Sequence, residues 1–538
     1  MCAGVVAFVL RLASFNGFPN DQFMHLAWAQ QLLHGDLPGR DFAEPGMPLA
    51  VALSAAAQWA WQGFLSEAVL TTAMLALAVA LTCRVITALT RSVTAGLVGG
   101  ALVLAWYPRL YSYPKILVPA LTMWLVVRHV RQPSNRTLAY LAAATAVSFL
   151  LRHDLGAMAG LAVVMALLCG DRPIGQRLRH VASFVAMGLL LLAPYLVFVE
   201  ATEGLVEHLR VGTEFSRAEE HQLLWPGPSL ALYDGVRGLG IDGFRFSAEA
   251  ISFWLFNALM AGLAVAAVRT APARRAPLAA LLAFAVSYRM VVLRHPLEAR
   301  LPDAATVAAI ASLLALTWLW QTTREWWPLH RPRATAALCV TAMFAVLSVS
   351  AMWSVANLSD RLDQTGMTRG PFGVAITLRD VVRRWPERSW RPYWPAGYPP
   401  PVIDYITSCT KPTDRLLVTW FGPEYYVFTN RVFAAGHAMF LPTSFATTRD
   451  QAQMLRRLES QPVPIVLLND TRHEAFERAF PAIAAYVDEH YDVRARFTAR
   501  DDSIIAIAVR SDLHPGTDFE HKPWRCDFTR EVAGHAAP

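Results

Sequence analysis

Long apolar stretches recur along the first two thirds of the chain and are absent from the last third. A helix needs about 20 apolar residues to cross a bilayer, so the shorter stretches must extend into their flanks. The predicted spans are 1–13, 68–88, 93–107, 116–128, 137–151, 155–169, 181–199, 249–268, 277–293, 304–320 and 334–353. The pattern therefore predicts a polytopic α-helical membrane protein with about eleven transmembrane helices.

Residues 47–64 form one apolar stretch that we do not interpret as a span. The stretch contains Trp59 and Trp61, and tryptophan is enriched where a membrane meets water. A span there would also invert the side of every later loop. We predict a juxtamembrane helix instead, preceded by a second one over Gln22–His34, in which apolar residues recur at helical spacing.

The last third predicts a water-soluble α/β domain. The predicted strands are 415–421, 463–468 and 503–510, and the predicted helices are Thr448–Ser460 and Ala475–His490. Trp385–Pro401 is rich in proline and aromatic residues and is predicted to be a linker or a lid. The expected domains are a transmembrane module over 1–353, which includes the first external loop 14–67, and an external α/β domain over 354–538.

Composition and charge agree with a membrane protein. Charged residues make up 17% of the chain, against about 25% in soluble proteins. The net charge of +7 comes from short basic clusters between apolar runs, with no basic stripe of the kind that binds nucleic acid. These clusters are expected on the cytoplasmic side, which places the intervening loops and the C-terminal domain outside. The abundance of alanine and arginine is typical of a GC-rich bacterial genome, so the expected location is a bacterial inner membrane, with the C-terminal domain periplasmic or extracellular.

The first apolar run and the cysteines raise two further points. Met1–Ala13 is short for a span and contains Arg11, so we expect a longer natural first helix; a cleaved signal peptide is the alternative. Of the six cysteines, Cys409 and Cys526 lie in the soluble tail. They could pair if that tail lies in an oxidising compartment.

The first external loop concentrates acidic residues beside the membrane. Asp21 opens a predicted helix, and Asp41 and Glu44 follow it. Carboxylates beside a bilayer are uncommon without a function. From spacing alone, Asp21 is either an N-cap residue or a catalytic base. Asp41 and Glu44 could orient an acceptor or hold a divalent cation, or they could be ordinary solvated acids.

Later external loops carry groups that could form a donor site. The candidate phosphate partners are Arg109, Lys115, Arg294 and Arg300, and the other candidate substrate-binding residues are Arg152, as part of the pocket wall, and His295. The alternatives are structural. Arg109 and Lys115 could extend to lipid headgroups. Arg152 could pair with Asp154, and His295 could be an ordinary loop residue.

The first loop resembles that of GT-C membrane glycosyltransferases. The matching residues are Asn20-Asp21-Gln22-Phe23, Ala29–Phe42 and Pro45–Leu49. The likeness is to the superfamily of protein O-mannosyltransferases and the lipid A aminoarabinose transferase. These enzymes usually carry Asp-Glu where this chain has Asp21-Gln22. The predicted topology, surface helices and external domain are also similar, so the resemblance covers most of the chain.

The resemblance implies an inverting transfer of a hexose or pentose from a polyprenyl-phosphate sugar to an acceptor hydroxyl of a glycan, lipid or protein. It implies that Asp21 is the general base and that outer-loop cations such as Arg300 contact the donor phosphate. His295 precedes Arg300 here, whereas in the family a histidine follows the arginine. The chain contains neither a phosphate-binding P-loop nor a dinucleotide motif, which favours a lipid-linked donor over a nucleotide sugar.

Two other functions use the same features. A transporter or flippase of a lipid-linked glycan would bind the same phosphate without chemistry, but it should show inverted repeats, which this sequence lacks. A membrane-anchored assembly protein would leave the charges of the outer loops unexplained.

Overall fold

The computed structural model describes most of the chain. The described residues are 2–44, 46–213, 241–269, 272–292, 300–326, 332, 335, 339, 342, 357–385, 401–442, 444–498 and 503–513, apart from the side chains of residues 20, 241–251, 272–273, 292, 322, 325–326 and 401. Almost all of the predicted span 334–353, the 386–400 part of the linker, and Arg294 with His295 lie outside these residues.

Helices form most of the described structure. In chain order they are α1 (Cys2–Ala13), α2 (Asn20–Leu33), α3 (Pro48–Ala60), α4 (Phe64–Thr90), α5 (Val93–Ala105), α6 (Tyr113–Arg131), α7 (Asn135–Leu151), α8 (His153–Leu168), α9 (Ile174–Thr202), α10 (Ile241–Arg269), α11 (Pro272–Val292), α12 (Ala305–Trp326), α13 (Leu358–Thr365), α14 (Gly370–Arg384), α15 (Pro401–Cys409), α16 (Glu424–Thr429), α17 (Thr448–Ser460), α18 (His473–Ala479) and α19 (Pro481–His490). Short 3₁₀ turns, Leu110–Ser112 and Leu301–Ala304, precede α6 and α12. The strands are β1 (Arg415–Val418), β2 (Val432–Phe433), β3 (Ile465–Asn469), β4 (Tyr491–Thr498) and β5 (Ile504–Arg510).

The chain forms two compact units, which we call the membrane unit and the sheet unit. The membrane unit comprises the described residues of Met1–Asn16, Glu67–Val197 and Glu220–Arg384. The sheet unit comprises those of Gly17–Ser66, Phe198–Glu219 and Trp385–Pro538. This division differs from the predicted boundary at 353. The first external loop belongs to the sheet unit, and α13 and α14 belong to the membrane unit because they pack against α1.

The helices confirm a membrane protein. Each predicted span from 1–13 to 304–320 coincides with a helix. Among the described residues, five helical segments are long and apolar enough to cross a membrane, namely Phe64–Thr90, Leu110–Arg131, Ile174–Thr202, Ser252–Arg269 and Leu301–Gln321. Other apolar helices, including α1, α5 and α8, are shorter. The described helices thus support a helical membrane protein with fewer clear spans than the pattern predicts.

The helical hairpin of α7 and α8 is closed by one glycine. Arg152 alone separates the two helices, which then pack along each other. A Cβ atom at Gly156 would overlap the backbone of Phe149, whereas one at Gly160 would meet Thr145 at an ordinary 3.6 Å. Glycine at 156 therefore permits the close approach that fixes the turn carrying Arg152.

The sheet unit is built on a five-stranded mixed sheet in the order β2-β1-β3-β5-β4. β1 is parallel to β2 and β3, whereas β5 is antiparallel to β3 and β4. The central strand β3 is apolar at four successive positions and buried throughout, as expected for a strand covered on both faces. Side chains from α17 and α19, such as Met454 and Ile483, complete the core.

The predicted elements of the sheet unit are largely confirmed. Strands β1, β3 and β5 lie within or beside the predicted ones, and α17 spans the predicted residues, with Thr447 and Asp450 forming a capping box at its start. The predicted helix 475–490 is two helices, because Pro481 starts α19 as its first residue. Strands β2 and β4 were not predicted. Cys409 is disulfide-bonded, and Cys526 lies outside the described residues.

Helix α2 differs from the predicted surface helix. It is a helix over nearly the predicted residues, but Leu26, Trp28 and Gln31 are each at most 1% exposed, because α3, α16 and β2 pack around it. The Gln31 amide accepts a hydrogen bond from Phe433 N at 3.1 Å and donates one to Phe433 O at 3.3 Å. This side chain therefore occupies backbone groups of the edge strand β2 and helps to protect that edge.

The loop after α2 is fixed to the same sheet. The Asp36 carboxylate accepts hydrogen bonds from Arg415 at 2.7 and 3.1 Å, and Ala43 N donates to Gly436 O at 2.9 Å. Gly436 has a φ of +75°, and a Cβ there would overlap Arg457. The first external loop is thus an integral part of the sheet unit.

Replacing Gly156 by alanine should lower the free energy of unfolding by about 1–3 kcal/mol, because overpacking forces α7 and α8 apart. Gly160→Ala is the matched control on the same helix and should be neutral or stabilising by up to about 1 kcal/mol through helix propensity. Thermal and denaturant unfolding of the purified variants measures both. Equal stability of the two variants would contradict the role assigned to Gly156.

Candidate functional site

Charged residues from separate loops meet at one end of the membrane unit. Lys115 lies near the start of α6, Arg152 and Asp154 lie at the α7–α8 turn, and Arg300 and Asp303 lie just before α12. Lys115 interacts electrostatically with Asp303, Arg152 and Arg300. Antiparallel helices place these termini together, and we call the five residues the cationic cluster.

The centre of the cluster is a buried ion pair. Lys115 Nζ donates to Asp303 Oδ2 at 2.6 Å, with side-chain exposures of 5% and 1%. The second oxygen, Asp303 Oδ1, is buried and has no hydrogen-bond partner among the described residues. Lys115 therefore does not extend to lipid headgroups, and it reaches a phosphate only through rearrangement of this pair.

Backbone contacts lock the ion pair in place. The Tyr288 hydroxyl donates to the carbonyl oxygen of Lys115, and Thr306 Oγ1 donates to the Ile116 carbonyl at 2.9 Å. Tyr288 comes from α11, so three helices define the position of Lys115. Tyr288 also interacts electrostatically with Asp303, Asp154 and Arg152.

Arg152 forms an ion pair with Asp154, which is the structural role predicted as the alternative to ligand binding. Its Nε and Nη2 atoms donate to the two oxygens of Asp154, both at 2.8 Å. Asp154 Oδ1 also accepts from the N–H of Leu155 at 2.8 Å. His153 lies between them in sequence, stacks on Phe149 at 4.2 Å and shares a hydrogen bond of 3.0 Å with the Tyr195 hydroxyl.

Arg300 supplies the unmatched charge of the cluster. It is half-buried, forms no ion pair with a described residue, and its buried Nε has no hydrogen-bond partner among those residues. The three cations Lys115, Arg152 and Arg300 face two carboxylates. Within the described part of the cluster, one positive charge is therefore left without a carboxylate.

A second group of cations and tyrosines lies in the same unit. The Tyr107 ring is contacted by the guanidinium of Arg11 at 3.8 Å and by that of Arg361 at 4.3 Å. Arg11 is 5% exposed and also hydrogen-bonds the hydroxyls of Tyr107 and Tyr113. Sequence reasoning noticed Arg11 only as an interruption of an apolar run. An arginine inside a short apolar run was the sequence signal that could have identified this group.

Arg109 lies at the edge of this region. It is exposed, donates to the Tyr111 hydroxyl at 2.7 Å, and its guanidinium lies 5.9 Å from the Tyr111 ring. Lys115 Nζ lies 5.7 Å from the same ring. Tyr111 thus links the exposed cation of the loop to the buried one.

Asp21 belongs to the sheet unit and is not an N-cap. Pro19 is the N-cap residue of α2, no side chain caps this helix, and Asp21 lies in its first turn. The carboxylate is partly exposed and has no hydrogen-bond or ion-pair partner among the described residues. A carboxylate is favoured at a helix N-terminus, and no side chain in the described part of the chain engages this one.

Aromatic residues hold the helix end that carries Asp21. Phe23 lies 6.1 Å from Phe18, 6.0 Å from Phe64 and 5.1 Å from Phe428, measured between ring centroids. Phe64 in turn contacts Trp385 at 6.2 Å. This packing anchors the first turn of α2 and therefore the position of Asp21.

Asp41 has a local structural role. Its Oδ2 accepts from Leu37 N at 2.8 Å and from the Arg40 guanidinium at 2.8 and 2.6 Å. Burial alone would raise the pKa of Asp41, but these hydrogen bonds outweigh it and lower the pKa. The carboxylate thus closes the turn over residues 37–42.

Glu44 is buried and not a solvated acid. Burial raises its pKa to about 7, although a hydrogen bond from Met47 N and the charge of His208 act in the opposite direction. His208 itself hydrogen-bonds Glu203. Among the described residues, no group of three or more His, Cys, Asp or Glu side chains is arranged to hold a metal ion.

The structure brings together only part of the predicted site. Lys115, Arg152 and Arg300 meet in the membrane unit, whereas Asp21, Asp41 and Glu44 belong to the sheet unit. Sequence reasoning missed Asp303 and Tyr288 as members of the cluster. An acid at the start of one apolar helix and a lysine at the start of another were the signal for the Asp303 pair.

Replacing Lys115 by methionine should lower the free energy of unfolding by about 3–5 kcal/mol, because Asp303 would be left buried without its counter-charge. The double variant Lys115→Met/Asp303→Leu should recover much of this loss. Denaturant unfolding in detergent measures the cycle. Asp470→Asn, which breaks the exposed pair with Arg496, is the control and should cost about 1 kcal/mol or less. Additive single and double effects would contradict the coupling.

Glu44 predicts a pH dependence of stability. Since its folded pKa of about 7 exceeds the ordinary 4.5, its contribution favours the folded state fully below pH 4.5 and is lost as the pH rises through 7. The difference amounts to about 3 kcal/mol. Glu44→Gln should lose less stability than the natural protein between pH 5 and pH 8. Thermal unfolding across this range measures it, with Asp488→Asn, an exposed carboxylate of α19, as the control. Parallel curves for the natural protein and Glu44→Gln would contradict the assignment.

Any functional conclusion rests on the site itself, because known protein sequences offer no match. No protein-family model matches the chain, and no curated protein is similar to it in sequence.

Proposed function

We propose that the chain is a GT-C-like membrane glycosyltransferase that moves a sugar from a polyprenyl-phosphate donor to an acceptor hydroxyl with inversion. The observation that carries the proposal is the cationic cluster, in which three loops far apart in sequence place Lys115, Arg152 and Arg300 together at the ends of membrane helices. A lipid-linked phosphate is the anion that a site within such a bundle encounters from the bilayer. The first loop resembles the corresponding GT-C loop and supports the same reading.

Arg300 is the proposed primary contact of the donor phosphate. It carries the charge that no described carboxylate neutralises, and a guanidinium can hold two phosphate oxygens at once. Lys115 and Arg152 are each paired with a carboxylate, Asp303 and Asp154, so they add little net charge and instead fix the surroundings of Arg300. A preorganised cation such as Arg300 stabilises the charge that develops on a leaving phosphate.

Asp21 is the proposed general base. The acceptor oxygen attacks the anomeric carbon while the bond from that carbon to the phosphate oxygen breaks. The acceptor proton passes to the Asp21 carboxylate, and polyprenyl phosphate leaves with the bonding electrons. Attack opposite to the leaving group inverts the anomeric centre. A base of this kind contributes about 10²- to 10⁴-fold in rate.

The proposal includes a location and a topology. The transferase would have about eleven transmembrane helices in a bacterial inner membrane, with the sheet unit on the periplasmic side, because basic clusters mark the opposite face. The sheet unit would select the acceptor, a glycan, lipid or protein. A divalent cation is not required by the step as written.

The test combines binding and transfer with purified full-length protein. Arg300→Gln should weaken binding of polyprenyl phosphate by about tenfold to a hundredfold, as expected for the loss of one charge-assisted contact. Asp21→Asn should retain this binding but lower transfer from polyprenyl-phosphate hexoses or pentoses by about 10²- to 10⁴-fold. Binding is measured by native mass spectrometry, and transfer by release of polyprenyl phosphate.

The controls match each variant. Arg324→Gln lies in the last turn of α12, the helix that Arg300 precedes, and Asp488→Asn removes an exposed carboxylate of the sheet unit. Neither should change binding or transfer. Unchanged transfer by Asp21→Asn excludes Asp21 as the base. Binding without transfer for every donor, in the natural protein, would favour a carrier of lipid-linked glycans.

A further inference from the structure

A large apolar cavity lies within the membrane unit, away from the cationic cluster. Its volume is about 900 Å³, and it is lined by the C-terminal parts of α4, α6, α10 and α12 and the N-terminal end of α11. The cationic cluster lies at the starts of α6 and α12 and near the end of α11, so the cavity occupies the opposite end of the same helices. Small residues of α10, including Ala258, Gly262 and Ala266, form one wall.

Four arginines line this cavity. They are Arg91, Arg131, Arg269 and Arg274. Each ends a helix or lies in its first turn or just beyond its end, and all four are exposed. Arg131 also donates to the Ala88 carbonyl. None of the four forms an ion pair with a described residue, so their charges are balanced by nothing in the part of the chain that the structure describes.

The depth of the cavity matches one leaflet of a bilayer. Along α10 the lining runs from Arg269 to Ala258, which is roughly 16 Å at the helical rise of 1.5 Å per residue. The hydrocarbon core of a bilayer is about 30 Å thick, so one leaflet contributes about half of this distance. The apolar cavity is therefore about as long as one lipid acyl chain within a leaflet. The arginines at one end of it complement the negative charge of the lipid phosphate.

We propose that this cavity binds an anionic phospholipid of the surrounding membrane, with its phosphate at the four arginines and one acyl chain along α10. A phosphodiester headgroup accepts several guanidinium hydrogen bonds, and basic pockets between membrane helices are suited to anionic headgroups. The lining is mostly alanine, leucine and valine, which offers few partners to the backbone of a peptide. The proposal is independent of the proposed transferase activity.

The first arm of the test removes charge. Purified, delipidated full-length protein in a neutral detergent is titrated with phosphatidylglycerol or phosphatidylcholine, and binding is followed by native mass spectrometry and thermal shift. Phosphatidylglycerol should bind more tightly than phosphatidylcholine. Arg269→Gln/Arg274→Gln should raise its dissociation constant by about tenfold to thirtyfold, because two positive charges near the membrane surface are removed. Arg84→Gln/Arg179→Gln, two exposed arginines outside the lining, should leave it unchanged.

The second arm fills the cavity. A Cβ at Gly262 meets no atom within 4 Å, and the same holds for Gly188 of α9, which does not line the cavity. Gly262→Leu should abolish phosphatidylglycerol binding while the protein stays folded, because leucine suits a helix better than glycine. Gly188→Leu should bind as the natural protein does.

The outcomes separate the possible occupants. Equal binding of phosphatidylglycerol and phosphatidylcholine, or unchanged binding by both cavity variants, overturns the proposal. Polyprenyl phosphate that displaces phosphatidylglycerol both from the natural protein and from Arg300→Gln, which lacks the proposed donor contact, would also overturn it, because the occupant of the cavity would then be a carrier lipid. Loss of binding in both cavity variants and in neither control supports it.

Discussion

A lysine and an aspartate buried together among apolar helices set the geometry of the membrane unit. Taking two charges out of water costs several kcal/mol per ion, and the attraction between them repays this only when their positions are well defined. The Lys115–Asp303 pair joins the starts of α6 and α12, and Tyr288 of α11 holds the backbone of Lys115. Because the pair tolerates little displacement, it fixes the starts of α6 and α12, with Arg300 just before α12 and Arg152 on the neighbouring α7–α8 turn. A cluster of like charges can persist at this end only because Asp303 and Asp154 neutralise two of the three cations.

A second constraint, the exposed edge of a small sheet, explains why the first external loop belongs to the sheet unit. β2 has only two residues and would leave unpaired backbone groups at the edge. The Gln31 amide pairs with Phe433 of that strand, and Asp36 pairs with Arg415 of the next one. Helix α2 is therefore buried by the sheet and cannot lie flat on a membrane as its spacing suggested. The same packing holds the first turn of α2, so the orientation of Asp21 is set by contacts with aromatic residues of the sheet unit.

Features that depend on local composition could be predicted from the sequence. Apolar runs identified the helices of the membrane unit, and the β3 run identified the central strand. Strand β4 was not predicted because its residues Tyr491–Thr498 are mostly exposed and polar, as expected for an edge strand. Long-range pairings could not be predicted, because the sequence places Lys115 and Asp303 at the starts of two apolar helices but does not show that these two helix ends meet. Glu44 was misjudged for the same reason, because its burial depends on the rest of the sheet unit.

The two ends of the same helices differ in whether carboxylates balance their positive charges. This difference indicates what kind of ligand each end can bind. At the cationic cluster, carboxylates lie within hydrogen-bonding distance of Lys115 and Arg152, so only Arg300 attracts an anion and a ligand must compete with built-in acids. Such a site suits a ligand that binds, reacts and leaves, since the acids limit its affinity. At the other end, four arginines line an apolar cavity and meet no described acid, so an anionic ligand faces no competing carboxylate. That arrangement suits a ligand that stays, as a structural lipid does. The charge balance of each end, more than its total charge, is therefore what would distinguish the proposed turnover site from the proposed lipid site.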